Sequence, residues 1–288
     1  VPDSEQENDT MLCLLRLGVI VASWRLIAAW LVVTFSVIAH SALPEPDERE
    51  AALIGELIFA NECNLNAECL TSWNIGEDFP SLGIGHFIWY REGQDERFRE
   101  SFPALLAFYD QQGMTVPAWI DRLPGRAAPW QDRDEFLDEL DGWRLRELRQ
   151  FLIDTKDIQA QFIIQRLYDG VPGIVAAAND PDAVSAMFAR IAAAERPLGM
   201  YALIDYVNFK GEGILESERY QDQGWGLLQV IEHMLETPSD APVMRRFADA
   251  SAAVLRQRVE NAPPDRNEQR WLQGWYNRTE TYATLPSR

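Results

Sequence analysis

The sequence predicts an α+β fold, mainly α, in which a helical lobe carries a small β-sheet inserted after the first helix. Three observations predict it. Apolar residues recur at helical spacing between Asp47 and Asn61. The period changes across Leu70 to Tyr90, where Gly76, Pro80, Gly83 and Gly85 separate aromatic and branched residues. A helical pattern returns beyond Tyr90 and runs nearly to the end. With 288 residues and 47% hydrophobic content, the chain can bury a substantial core in one large domain or two closely packed ones.

Residues 1–42 read as a signal peptide or N-terminal anchor. Arg16 and Arg25 precede the nearly uncharged run Leu26 to Ala39, and small residues at Ala39, Ser41 and Ala42 stand before Pro44. The order basic, apolar, small is that of a secretory signal, and the run is shorter than the roughly 20 residues of a spanning helix. The expected location is therefore outside the cytoplasm, periplasmic or secreted. An uncleaved segment 11–39 would anchor the chain to the inner membrane.

In the first helix, Leu53, Ile54, Leu57 and Ile58 supply the apolar stripe, and Asp47, Glu48 and Glu50 sit near the start, where the helix dipole favours negative charge. Glu62 falls at its C-terminal end. There the dipole and the apolar neighbours are both expected to raise its pKa. Cys63 and Cys69 follow, flanking Asn64 to Glu68. In an oxidising compartment they can close a small loop; two reduced, partly buried thiols remain the alternative. Two cysteines and His86 fall short of a zinc ligand set, so no metal is expected.

Leu70 to Tyr90 reads as a small hairpin or three-stranded sheet. Beyond it, the breakers of the helical pattern include Gly113, Pro117, Pro124, Gly170, Pro172, Pro181, Pro197 and Pro242. Ala202, Asp205, Tyr206 and Phe209 share one face of a helix expected from about Leu198 to Lys210.

The chemistry-bearing motif is Glu62 followed by Ser81-Leu82-Gly83-Ile84-Gly85-His86. A carboxyl group followed by a hydroxyl on a short strand can protonate a glycosidic oxygen and position a water on the same sugar. The order helix, Glu, short sheet, SLGIGH resembles the phage-type lysozymes, whose pattern is a helix-terminal Glu, an Asp, and a Thr opening a T-I-G-x-G-H strand. Ala202 to Gly213 is similar to that family's central helix ending in a glycine-rich turn. Leu272-Gln273-Gly274-Trp275-Tyr276-Asn277-Arg278 resembles its closing G-L-x-x-R element. The resemblance implies a lysozyme-like domain over 43–288 with a helical insertion around 91–199. It implies that Glu62 is the general acid, that Ser81 replaces the threonine holding the attacking water, and that His86 is structural. Ile75 stands where the family aspartate belongs, which leaves Glu77 or Asp78 as the second carboxylate, or none.

A second signature competes. Glu212 ahead of Gly226-Leu227-Leu228-Gln229 resembles the soluble lytic transglycosylases, where a catalytic Glu precedes G-L-M-Q. Glu212 is then the rival acid. Asn208 and Gln229 are expected to contact sugar hydroxyls, and Trp73 and Trp225 to offer aromatic faces to a pyranose.

The expected function is cleavage of the β-1,4 bond of peptidoglycan, by hydrolysis or lytic transglycosylation, with chitosan or chitin as fallback substrates. A lysozyme-like module that binds glycan or a partner protein without turnover is the alternative. A net charge of -19, from 45 acidic and 26 basic residues, argues against a nucleic-acid surface. No cofactor is expected, because Gly83-Ile84-Gly85 lacks the following x-x-G and opens no helix.

Overall fold

The computed structural model describes residues 43–94, 96 and 98–284; the signal or anchor segment, including 11–39, lies outside them. The fold is mainly helical with a small antiparallel sheet after the first helix. Helix α1, Glu48–Cys63, begins on a capping box. The Asp47 carboxylate accepts from the Arg49 and Glu50 amides at 2.9 Å each, and Glu50 accepts from the Asp47 amide at 3.1 Å. It ends where Asn64 turns left-handed, its amide bonded to the Ala60 carbonyl.

The inward face of α1 is Ile54, Gly55, Ile58, Phe59 and Cys63. Glu62 lies four residues past Ile58 and three past Phe59, so helical spacing carries it to that same face. Gly55 lets α1 approach helix α5 (Lys156–Ala177) closely: a Cβ there would meet the Ala160 Cβ at 2.8 Å.

Strands β1 (Thr71–Ser72), β2 (Ser81–Leu82) and β3 (Phe87–Ile88) form an antiparallel meander in that order. Ser72 pairs with Ser81, and Ser81 with Ile88. Gly83 to His86 is the turn between β2 and β3, with the His86 amide bonded to the Gly83 carbonyl. Gln159 fastens this turn to α5. Its side-chain oxygen accepts from the Ile84 amide at 2.9 Å and its nitrogen donates to the Leu152 carbonyl at 2.7 Å. Gly83 is required here, since it has φ +69° and a Cβ would meet that Gln159 oxygen at 2.3 Å.

Helices α2 (Phe102–Gln111), α3 (Arg133–Asp138), α4 (Trp143–Asp154), α5 (Lys156–Ala177) and α6 (Pro181–Ala192) follow. They share one core with α1 and with α7, Leu198–Lys210, whose bounds match the expected central helix. Two expected breakers do not break. Helix α5 runs through Gly170 and Pro172, because the burial of Gly170, Ile174 and Val175 outweighs the roughly 3 kcal/mol propensity penalty of an internal proline. Helix α7 is buried on every side from Leu198 to Val207, which makes it the axis of the core. A two-stranded ribbon, β4 (Arg219–Tyr220) and β5 (Gln223–Gly224), leads to α8 (Leu227–Glu236), α9 (Val243–Asn261) and α10 (Leu272–Glu280). Among the described residues, no helix is long and apolar enough to cross a membrane.

Candidate functional site

Three segments distant in sequence converge on the Glu62 carboxylate. From α10, Arg278 Nη2 donates to Oε1 at 2.8 Å. From α7, Asn208 Nδ2 lies 3.4 Å from the same oxygen. From the β2–β3 turn, His86 Nδ1 lies 3.4 Å from Oε2. Asn208 also reaches the Gly85 carbonyl at 3.5 Å, tying α7 to the turn. The site is therefore assembled from the end of one helix, the glycine turn, the central helix and the C-terminal helix.

Behind Glu62 lies a buried ionic core. Asp205, fully buried on α7, accepts from Arg278 Nε at 2.8 Å and Nη2 at 2.7 Å, and from the Tyr282 hydroxyl at 2.6 Å. Arg278 thus forks into Asp205 and turns its remaining donor capacity to Glu62. Asn61 and Tyr201 extend the network: Asn61 Nδ2 donates to the Tyr201 hydroxyl at 2.7 Å, which meets Thr281 at 2.8 Å. Phe209 lies under both cations, 4.0 Å from the Arg278 guanidinium and 3.8 Å from Lys210 Nζ, and Trp275 covers Lys210 from 3.7 Å.

These charges reverse the expected ionisation of Glu62. Burial pushes its carboxyl upward, but Arg278, His86 and Lys210 together outweigh burial and hold it below the ordinary glutamate range. The helix end alone suggests the opposite shift; the difference is made by groups brought in from α10, the turn and α7. Lys210 moves the other way. Burial between the aromatic rings, reinforced by Arg258 and Arg278, drives its ammonium well below the usual lysine range.

A stability consequence follows from the sign of the Glu62 shift. A carboxyl whose pKa is depressed in the folded state stabilises fully above its unfolded pKa, and the contribution is lost as pH falls through the folded value. Unfolding free energies measured from about pH 5 downward should fall less steeply in Glu62→Gln than in the wild type. Equal slopes would contradict the depressed pKa.

Glu212 flanks the same region. Its Oε1 packs on α5 at Gly170, where a Cβ would approach to 2.7 Å, and its charge acts on Arg166. Arg166 Nη1 in turn lies 3.5 Å from Asn208 Oδ1. Asn208 therefore lies between Arg166, on which the Glu212 charge acts, and Glu62.

Other expected site residues fall elsewhere. Gln229 uses both ends of its amide on backbone, accepting from the Gly226 amide at 3.0 Å and donating to the Gly213 carbonyl at 3.1 Å. It pins the start of α8 onto the turn after Glu212 rather than offering its amide to a sugar. Gly226 belongs to that staple, since a Cβ would lie 2.0 Å from the Gly213 nitrogen. Gly226→Ala should cost about 3 kcal/mol in denaturant unfolding, because backbone on both sides cannot yield. A change within about 0.5 kcal/mol would refute that packing.

Trp73 and Trp225 are core residues, only 5% and 3% exposed. The Trp73 indole donates to the Glu77 carbonyl at 2.7 Å and meets Phe136 edge-on; Trp225 packs on Tyr220 with the Arg258 guanidinium 4.1 Å from its ring. Neither is among the side chains at the Glu62 carboxylate. Phe209 and Trp275 pack on Lys210, and Phe209 also on the Arg278 that bonds Glu62.

Ser81 is buried in β2, its carbonyl accepting from the Ser72 hydroxyl. Glu77 lies in the β1–β2 loop, bonded to Asn74 at 3.1 Å, and burial raises its carboxyl above the ordinary range. In a meander that loop leaves β2 at the end opposite the turn bearing His86. Among the described residues, the side chains contacting the Glu62 carboxylate are Arg278, Asn208 and His86; Ser81 and Glu77 are not with them. Ile75, at the position of the family aspartate, is 86% exposed.

Cys63 and Cys69 are joined by a disulfide, with Cα atoms 5.4 Å apart, so the loop alternative holds. Both sulfurs border His86 Nε2, at 3.6 and 3.2 Å. Arg278 lay inside the recognised C-terminal segment, but nothing local marked it as the partner of an acid 216 residues away. Asp205 was visible as a polar residue on an apolar helix face; its partners were not.

Comparison with known proteins adds no assignment: no family model, curated protein or solved structure matches this chain. The site defines a partly buried carboxylate at a helix end, contacted by an arginine, an asparagine and an imidazole.

Proposed function

We propose that this chain is an exported, lysozyme-like glycan-cleaving enzyme in which Glu62 transfers the proton at a β-1,4 bond of peptidoglycan. One observation carries the reading. The segments that separately resemble the phage-type lysozymes, namely the helix-terminal Glu, the SLGIGH turn, the central helix and the closing arginine element, meet at this single carboxylate. Chance matches would have no reason to converge in space.

The arrangement favours lytic transglycosylation over hydrolysis. Hydrolysis through the family aspartate needs a second, available carboxylate, whereas Asp205 is committed to Arg278 and Tyr282, and Glu77 lies at the far end of β2. Attack by the sugar's own hydroxyl needs one carboxyl that first donates and then accepts a proton. Glu212 serves as a cleft residue beyond Arg166. The test is incubation of the full chain with purified peptidoglycan, followed by mass analysis of the soluble fragments. Anhydro ends are expected; reducing ends would reassign the reaction to hydrolysis.

A second reading has one observation in its favour. Glu62 is held ionised, a state suited to accepting hydrogen bonds from a glycan but not to donating a proton. If neither peptidoglycan nor chitosan yields fragments while either binds, the protein is a glycan-binding module.

A further inference from the structure

We infer that Cys63, Cys69 and His86 form a reduction-gated site for a thiophilic divalent cation. The three ligand atoms, two Sγ and one imidazole nitrogen, lie within 4.8 Å of one another, on the last turn of α1, the loop after it and the β2–β3 turn. Tetrahedral zinc, with Zn–S near 2.3 Å and Zn–N near 2.0–2.1 Å, needs sulfur-to-nitrogen edges of about 3.5 Å. In the disulfide form the distances to His86 Nε2 are 3.6 and 3.2 Å, so the imidazole stands near chelating separation from both sulfurs, which must move apart to about 3.8 Å on reduction to share one ion.

The imidazole is also oriented as a ligand. Glu62 Oε2 lies 3.4 Å from Nδ1, so the carboxylate stands on the Nδ1 side of the ring and the sulfurs on the Nε2 side, the arrangement in which a proton on Nδ1 leaves Nε2 free to ligate. A carboxylate behind a ligating histidine fixes its tautomer and strengthens it as a donor. Backbone geometry holds the ring in place: His86 has φ +48° and its amide is bonded to Gly83. Cys69 and His86 are partly exposed, which leaves a path for the ion and an open fourth position for water.

The disulfide is the closed state of this site. A dithiol reductant delivers two electrons and two protons to the Cys63–Cys69 bond, giving two thiols and leaving the reductant as its own disulfide. The cation then displaces two thiol protons to solvent and bonds both thiolates and His86 Nε2. A disulfide oxidant takes two electrons and two protons from the metal-free dithiol, becoming a dithiol itself, and closes the site again. This inference does not depend on the glycan reading.

The test uses the full chain with Cd²⁺ as probe, followed by its thiolate charge-transfer absorbance and by metal-to-protein stoichiometry after gel filtration. The reduced protein should bind one equivalent and the oxidised protein none. Cys13→Ser should bind like the wild type, while the Cys63→Ser/Cys69→Ser pair should lose binding. Glu62→Gln should weaken binding about 10- to 100-fold, the effect of removing a histidine's carboxylate partner. Binding by the oxidised protein, retention in the double serine variant, or no binding by the reduced protein whose circular dichroism matches the oxidised form would each overturn the inference.

Discussion

Arg278→Met should destabilise the protein by about 3–5 kcal/mol, the usual cost of removing one partner from a buried ion pair. Asp205 is the reason. It is fully buried, and the substitution would take away two of its donors, at 2.8 and 2.7 Å, leaving the Tyr282 hydroxyl and a distant Asn61 amide. Glu62 would lose its shortest contact at the same time. Because the penalty is that of an orphaned charge, Asp205→Asn combined with Arg278→Met should recover a large part of it. Urea unfolding of the two variants measures this directly. A loss below about 1 kcal/mol, the range of an exposed pair, would mean that Arg278 is not the keystone of the cluster.

Glu62→Gln should lower peptidoglycan cleavage by about 10²–10⁴-fold, the range for a positioned general acid or base. Glutamine keeps the shape and still accepts from Arg278 and Asn208, so glycan affinity should change little, while loss of the charge that Arg278 stabilises should lower thermal stability near neutral pH. Glu212→Gln should retain most of the rate, because Glu212 packs on Gly170 and reaches Glu62 only through Arg166 and Asn208. A full loss in the Glu212 variant with activity kept in the Glu62 variant would exchange their roles.

What the sequence revealed was what is encoded locally. The apolar spacing and its end placed Glu62 at the C-terminus of α1, and Gly83 and Gly85 read as breakers within a small sheet; the turn they form, with its positive φ and close approach to Gln159, became visible only in the structure. The bounds of α7 were legible because Gly211 stops a run that is mostly apolar, with Asp205, Asn208 and Lys210 as its polar members. The ionisation of Glu62 was not legible, since it depends on Arg278 and Lys210 arriving from far along the chain. Neither was the fate of the tryptophans: an indole beside a motif in sequence can still point into the core, as Trp73 does against Phe136. Pro172 and Gln229 make the same point. A residue read as a breaker or a ligand became part of the packing once tertiary contacts were formed.

The most direct test of Glu62 as proton donor is the pH dependence of kcat/KM for peptidoglycan cleavage, which reports the free enzyme's essential groups. The protonated form is the active one, and the surrounding cations hold its titration below the ordinary glutamate range. The rate should therefore fall progressively as pH rises from the acid side, with no such limb in the residual activity of Glu62→Gln. A profile that is flat, or that rises with pH and is kept in the glutamine variant, would contradict the assignment.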